Sequence, residues 1–524
     1  MLKIIQKQLD LSLVRIALIF ALVYFVLFNS AVVLYKFDYY KASLLSAILE
    51  LSKESIYIYF SLFLFFFGLT IHRFLFIIVA PLLFLSGALA SYYLYFFKIV
   101  PNKEMIEAFF GTEPNEVYEL ISIRLIVWLI FSLFVCVYSI KHFNINNTQL
   151  FFTKILTAVC LLITINIVIA PPYKALESYF PIQYLHNTYL HISEYFIHST
   201  KLDISKEFDF VDNSENDLIA VLVIGESARY DHFGINGYFR ETTPRISKLE
   251  NLFSYQAESC SNVTYMSVPC LLSRISSNNQ QQILKETSML SVFTKLGFKT
   301  TWIGAQSLRK YFKNEHLGTL YDEVNFAIIP GGSALYQMND HDEVMLPYIS
   351  DLLRDNSNRR QLIAIHTSGS HWNYAARYTE AFDHFKPGCK AAMKADPSTC
   401  HLEGLKNIYD NSILYTDFFL SSVIDLLKTS NAILIYVSDH AESLGENGRF
   451  GHGGDITKEQ SNIPLIVWMS DRFIAKHQDS LVAMKSHLNH EISHDYIFHS
   501  MLDCSGISSI IIDKNYSLCR KRNG

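Results

Sequence analysis

The spacing of hydrophobic positions changes near residue 170. Before that point apolar residues come in long, nearly uncharged runs: Leu11 to Tyr35, Ile56 to Ile71, Phe74 to Phe97, Ile121 to Ile140 and Phe151 to Ala170. Each approaches the roughly 17 to 25 residues that a helix needs to cross a bilayer, so five transmembrane helices are expected, the second being the shortest. Beyond it, short apolar runs alternate with stretches of helical periodicity. The strand candidates are Leu218 to Ile224, Lys299 to Ile303, Gln361 to His366, Ala432 to Val437 and Pro464 to Met469. This alternation predicts a mostly parallel sheet with helices on both faces, and roughly 300 residues are ample for one such core. Between the two regions lies an aromatic stretch with Tyr173, Tyr179, Phe180, Tyr184 and Tyr189, suited either to a membrane interface or to a helix packed on the globular part. An acidic, Asn-rich segment, DFVDNSEND at 209–217, closes it. The expected division is a membrane domain at 1–172, a bridging segment at 173–216 and an α/β domain at 217–524.

Composition supports this division. The chain has 524 residues, 50% of them hydrophobic, with 39 Phe and 31 Tyr, too apolar for an ordinary soluble enzyme. The first run is long, lacks a small-residue cleavage site and is followed by four more, so a cleaved signal peptide is not expected. Arg15, Arg124 and Lys154 lie near run ends, where they can snorkel to the headgroups. With a cytoplasmic N-terminus the inside segments hold Lys3, Lys7, Arg73, Lys141 and Lys154. The outside loop from Lys98 to Leu120 carries Glu104, Glu107, Glu113, Glu116 and Glu119. That arrangement follows the positive-inside rule, and an odd number of spans puts everything after Ala170 on the far side. Six of the eight cysteines fall in the soluble part, and their order suggests three short-range disulfides, 260 with 270, 389 with 400 and 504 with 519, as in an oxidising periplasm. The net charge is -5 and the only basic cluster is Arg520, Lys521 and Arg522, so a nucleic-acid partner is not expected.

Chemistry collects where strands are expected to end. Val223-Ile224 runs into Gly225-Glu226-Ser227, Tyr436-Val437 into Ser438-Asp439-His440-Ala441-Glu442, and Ala364-Ile365 into His366-Thr367-Ser368-Gly369-Ser370-His371, while His452 follows in Phe450-Gly451-His452-Gly453. Ligands of α/β folds gather at the carboxyl ends of strands. Carboxylates and imidazoles delivered from several such ends are how a zinc site with an open position is assembled. An isolated Asp-His pair or a single His is more often a cap or a loop residue, and it is the convergence that argues for a metal. A reacting group is offered by CSNVTYMSVPC at 260–270. There Thr264 precedes an apolar helical pattern, where a helix N-terminus and a metal would both lower the cost of an alkoxide; the commoner role of such a Thr is an N-cap.

The joint set VIGES at 223–227, Cys-x3-Thr-x5-Cys at 260–270, HTSGSH at 366–371 and SDHAESLGENG with His452 resembles the phosphoethanolamine transferases of Gram-negative inner membranes. That family includes lipid A modifiers and mobile colistin-resistance enzymes. The likeness covers the five spans as well as the soluble domain. It implies a five-helix transmembrane N-terminal domain followed by an α/β sandwich of the alkaline phosphatase and sulfatase type in the periplasm. By position, Glu226, Thr264, Asp439 and His440 resemble the family's zinc ligands, with Thr264 as nucleophile. His366, His371 and His452 resemble a second cluster that handles phosphate and a second metal. Lys310 resembles a phosphate-contacting lysine, and Thr112 and Glu116 match a substrate-binding loop. The implied cofactor is one or two zinc ions, with another divalent metal as the alternative. The implied partners are a phosphatidylethanolamine donor, the membrane, and a lipopolysaccharide or periplasmic glycan acceptor.

Several positions depart from the family pattern. Ala108 stands where Asn is usual, Trp372-Asn373 where Gly-Pro is usual, and Gln306 where Asn is expected. These positions bear on lipid and acceptor recognition, so lipid A, a core heptose and a periplasmic glucan all stay open as acceptors. A sulfatase would carry Cys-x-Pro-x-Arg, but Cys270-Leu271-Leu272-Ser273-Arg274 lacks the proline. A phosphoglycerol transferase would fit the paired cysteines poorly, and a non-catalytic binding protein on the same fold would be expected to have lost a ligand residue.

Overall fold

The computed structural model describes residues 11–39, 44–111, 117, 120–142, 151–197, 202–210, 217–274, 286–304, 325–326, 341–354, 360–389 and 400–521. The chain forms two compact units, one of Met1–Glu107 with Leu120–Glu194 and the other of Ala108–Glu119 with Tyr195–Gly524.

Among the described residues the first unit has five helices long and apolar enough to cross a membrane, Ser12–Asp38, Leu44–Leu69, Arg73–Phe97, Ile123–His142 and Phe151–Ile169. The second begins at Leu44, well before the apolar run at Ile56. Charged residues precede that run without breaking the helix, because Glu54 is buried and accepts from Lys36 Nζ at 2.9 Å and from Tyr179 Oη at 2.8 Å. A buried carboxylate is tolerated when its charge and lone pairs are met in this way. The first helix contains a π-helical turn at Phe25–Asn29, and Asn29 at its end clamps the backbone of Phe180, donating to its carbonyl at 2.9 Å and accepting from its N–H at 2.8 Å. Tyr179, Phe180 and Tyr184 are therefore buried in this unit rather than held at its surface. Phe20, Tyr24, Phe28, Phe76 and Phe84 fill the centre in edge-to-face contacts, the geometry favoured by the aromatic quadrupole. Gly68 lets the second helix approach the fifth: a Cβ there would lie 2.8 Å from the Leu161 backbone nitrogen.

The second unit is built on an eight-stranded sheet whose strands, in chain order, are β1 (Ile219–Gly225), β2 (Leu252–Glu258), β3 (Lys299–Gly304), β4 (Asn325–Phe326), β5 (Gln361–His366), β6 (Ala432–Ser438), β7 (Asn462–Met469) and β8 (Ile492–Ser493). Their spatial order is β8-β2-β7-β6-β1-β5-β3-β4. The five expected strands are present and the sheet is mostly parallel, but β7 runs antiparallel to both β6 and β2. Strand β2 was not expected: in LFSYQAE only Tyr255 and Ala257 are buried, so no continuous apolar run announces it. Ala220, Leu222 and Ile224 of β1 and Ile433, Ile435 and Val437 of β6 pack with Val268, Leu271, Val292, Phe293, Ile497 and Leu502 in one core. The alternating residues Val221, Val223, Leu434 and Tyr436 are buried as well, so the central strands are covered on both faces. Disulfides join Cys260 to Cys270, Cys389 to Cys400 and Cys504 to Cys519.

Candidate metal centre and active site

Register fixes where the strand-end groups emerge. In the parallel pairing of β1 with its neighbours, Gly225 lies opposite Ser438 and Ile224 opposite His366. The residues just past those positions therefore leave the sheet at one level. Glu226, Asp439 and His440 do so, all 0% exposed, and their ligand atoms lie within 4.8 Å of one another. His440 Nε2 is 3.3 Å from Glu226 Oε1 and 3.4 Å from Asp439 Oδ2. Thr264, the first residue of the helix Thr264–Leu271, brings its Oγ1 to 3.1 Å from His440 Nε2 and donates toward Glu226 Oε2 at 3.3 Å. The Cys260–Cys270 bridge closes the segment that carries it.

Each side chain is held by its own frame. His440 Nδ1 lies 3.1 Å from Ala441 O, which can only accept, so the proton is on Nδ1 and the Nε2 lone pair faces the site. Burial, with His452 close by, holds this imidazole well below its ordinary range, which keeps it neutral as a ligand must be. Asp439 Oδ1 accepts from the N–H groups of His440 at 2.7 Å and Ser227 at 3.1 Å. Among the described residues Oδ2 receives no hydrogen bond, and burial pushes this carboxyl well above its ordinary range. Two buried carboxylates, an imidazole lone pair and a hydroxyl on one point form the mixed oxygen and nitrogen donor set that suits zinc. A divalent cation there would supply the charge that the buried Asp439 lacks.

The second group of sequence-predicted residues surrounds this set. His366 Nε2 is 3.9 Å from Glu226 Oε2, and His366 is fully buried. The rings of His371 and His452 are 5.7 Å apart, and that of His452 is 4.2 Å from His440. Glu442 Oε1 lies 2.9 Å from His452 Nδ1, which places the proton there and leaves Nε2 to face elsewhere. Arg377 donates to His371 O at 3.3 Å and its Nη2 stands 3.4 Å from His371 Nδ1. Lys310, Thr112 and Glu116 lie outside the described residues.

Further groups shape the site, of which Asp342 and Tyr409 lie outside every sequence motif. Asp342 accepts from the Ser368 N–H at 2.8 Å, the Ser368 hydroxyl at 2.9 Å and the Gly369 N–H at 3.1 Å, fixing the loop between His366 and His371. Gly369, at φ +47°, is needed because a Cβ would lie 2.7 Å from Glu226 O. Ser227 takes the left-handed conformation at φ +59° beside Glu226, a strain of about 1–3 kcal/mol, and Tyr409 donates to its carbonyl at 2.7 Å. Glu442 had a signal, since it sits in SDHAES itself; Asp342 had none, being distant in sequence from every motif.

Comparison with known proteins gives this geometry a family. A family model described as Sulfatase matches residues 219–507, and one described as Phosphoethanolamine transferase EptA/EptB matches residues 59–185. The chain is 28% identical over 515 residues to the Kdo(2)-lipid A phosphoethanolamine 7''-transferase of Salmonella typhimurium, covering 89% of this chain and 88% of that protein. It is 30% identical over 437 residues to phosphoethanolamine transferase EptA of Helicobacter pylori, with 80% of each chain covered. Its fold matches the integral membrane lipooligosaccharide phosphoethanolamine transferase A from Neisseria meningitidis with a TM-score of 0.80 at 24% identity, over 98% of this chain and 99% of that one. The chain thus belongs to the phosphoethanolamine transferases, enzymes of the alkaline phosphatase and sulfatase superfamily.

Proposed function

We propose that this enzyme moves phosphoethanolamine from phosphatidylethanolamine to a sugar of lipopolysaccharide, in the lipid A and Kdo region, by way of a phosphoethanolamine-threonine on Thr264. The observation that carries the reading is the Thr264 hydroxyl at 3.1 Å from His440 Nε2 and 3.3 Å from Glu226 Oε2, inside the buried donor set. In the first step Thr264 Oγ1 forms a bond to the donor's phosphorus, and the bond from phosphorus to the glycerol oxygen breaks. The diacylglycerol leaves, its oxygen taking the proton given up by the Thr264 hydroxyl. In the second step an acceptor hydroxyl forms a bond to phosphorus as the bond from phosphorus to Thr264 Oγ1 breaks, and the acceptor's proton passes to Thr264, which is restored.

Glu226, Asp439, His440 and Thr264 would hold the metal, for which zinc suits the donors best. When bound it supplies positive charge that favours an alkoxide at Thr264 and neutralises the phosphoryl oxygens. The remaining groups position and donate. His366, His371 and His452 flank the point of transfer, where imidazoles can donate to phosphoryl oxygens, His452 doing so from Nε2 only as the imidazolium that Glu442 would stabilise. We place Lys310 in the same role and Thr112 and Glu116 in lipid recognition, with residues 1–172 as membrane anchor, 173–216 as bridge and 217–524 as catalytic domain. The acceptor assignment is favoured by the relative that acts on Kdo(2)-lipid A.

The test is mass spectrometry of the Thr264 peptide after incubating the detergent-solubilised enzyme with phosphatidylethanolamine and zinc. A phosphoethanolamine adduct on Thr264, with diacylglycerol released, is expected. Diacylglycerol released without an adduct on a trapped enzyme would refute the covalent route, and neither product would refute the donor.

A further inference from the structure

A buried histidine outside the proposed chemistry stands behind the donor set. His494 follows β8, is 0% exposed, and is engaged through both ring nitrogens. Nδ1 lies 3.3 Å from the backbone nitrogen of Cys260 and 3.4 Å from Ser267 Oγ, and Nε2 lies 2.9 Å from Ser438 O. A peptide N–H only donates and a carbonyl only accepts, so the ring is the neutral tautomer with its proton on Nε2.

The partners of this ring belong to the two halves of the site. Cys260 opens the disulfide-closed segment that carries Thr264, whereas Ser438 ends β6 one residue before Asp439. Ser267, on the Thr264 helix, donates its hydroxyl to Asp439 O and stands beside the same imidazole. The backbone N–H of His494 is itself fixed at 3.1 Å from Glu258 O, at the end of β2. One rigid side chain therefore ties the nucleophile's segment, the ligand-bearing strand end and the neighbouring strand together.

We infer that His494 is a positioning residue, which sets the register between the Thr264 segment and the Ser438–His440 strand end so that nucleophile and metal donors share one geometry. Groups that orient metal ligands typically affect metal affinity or activity by about 10–100-fold. The turnover part of this inference rests on Thr264 as nucleophile; the metal-binding part does not.

The test uses the full-length enzyme in detergent with His494→Gln, His494→Asn and His494→Leu. The Gln amide can still donate toward Ser438 O and the Asn carbonyl can still accept from Cys260 N–H, so each keeps half of the tie, and Leu keeps neither. Three quantities are read: zinc affinity by chelator competition, kcat and KM for phosphatidylethanolamine, and the thermal midpoint. Gln and Asn are expected to lose about 10–100-fold in zinc affinity and kcat with KM unchanged, and Leu more than either. A lower midpoint in all three with zinc affinity and kcat of the folded enzyme at the wild-type level would overturn the inference, leaving His494 as packing only. If the wild type itself fails to turn over, the Thr264 reading falls while zinc affinity still decides the role of His494. Should the Leu variant not fold, the Gln and Asn pair suffices.

Discussion

Replacing Asp439 by asparagine removes one charge from the donor set and leaves its frame in place. The Asn carbonyl oxygen can accept the N–H groups of His440 and Ser227 that Oδ1 accepts now, at 2.7 and 3.1 Å. Oδ2, which faces His440 Nε2 at 3.4 Å, becomes an amide nitrogen that cannot ligate a cation. Two effects then oppose each other. Removing one partner from a buried charge pair costs about 3–5 kcal/mol, here the attraction of the carboxylate for the cation. At 1.36 kcal/mol per factor of ten, zinc affinity should fall by roughly two to four powers of ten. In the metal-free protein the change acts the other way, because burial already pushes the Asp439 carboxyl up and its neutral replacement relieves that cost. The assay is chelator competition for zinc, phosphoethanolamine transfer, and the thermal midpoint with and without chelator. We expect weak zinc binding, transfer lowered at least as far, and a metal-free midpoint no lower than that of the wild type. Zinc affinity within about threefold of wild type together with retained transfer would remove Asp439 from the donor set. A collapsed midpoint would make its role structural.

Other perturbations separate chemistry from scaffold. Thr264→Ala should abolish the covalent adduct and reduce transfer to background, whereas Thr264→Ser should still form the adduct; an adduct on the Ala variant would move the nucleophile elsewhere. Glu54→Gln keeps an acceptor for Tyr179 but leaves Lys36 without its counter-charge, so the membrane unit should lose about 3–5 kcal/mol, recovered when Lys36→Met is added to Glu54→Gln; equal melting of all forms would show that the pair contributes nothing. Asp417 accepts the N–H groups of Arg245 and Ile246, yet burial pushes its carboxyl up to about 6 from 3.8. Its folded-state value lies above the unfolded one, so its stabilising contribution is complete below pH 4 and is lost as pH rises through about 6. Asp417→Asn should accordingly gain about 3 kcal/mol relative to wild type between pH 4 and pH 7, read from denaturation midpoints; a constant difference over that range would contradict the shift.

The parts legible in the sequence were those with unbroken apolar runs. Strands β1, β5 and β6 are buried on both faces, so they read as Ile-Val-Leu runs, and the groups after their last buried residue had to emerge together once the strands were adjacent. Adjacency itself was not readable, but the chemistry at the three ends implied it, because a slip of one residue would turn each ligand to the other face. Strand β2 and the early start of the second membrane helix were missed for one reason. In both, polar residues interrupt the hydrophobic pattern and are satisfied by partners far along the chain, as Glu54 is by Tyr179. His494 and Asp342 escaped notice in the same way, since their roles consist of contacts with segments more than twenty residues distant.

The site proposed to perform the chemistry burdens the fold that holds it. Glu226, Asp439, His440 and His366 are all fully buried within a few ångströms of one another, an arrangement whose desolvation cost is visible in the raised Asp439 and the lowered His440. A ligand that binds only the folded state repays this, by about 4 kcal/mol when it is present at a thousand times its dissociation constant. Chelation should therefore lower the thermal midpoint of the catalytic unit, and zinc should restore it in a concentration-dependent way. Glu54 and Lys36 belong to the other unit, so that unit's melting should not respond. In Asp439→Asn the chelator-dependent shift should largely vanish. A wild-type midpoint unmoved by chelator would mean that the buried carboxylates are stabilised by the protein alone, and the metal assignment would then fail together with the chemistry built on it.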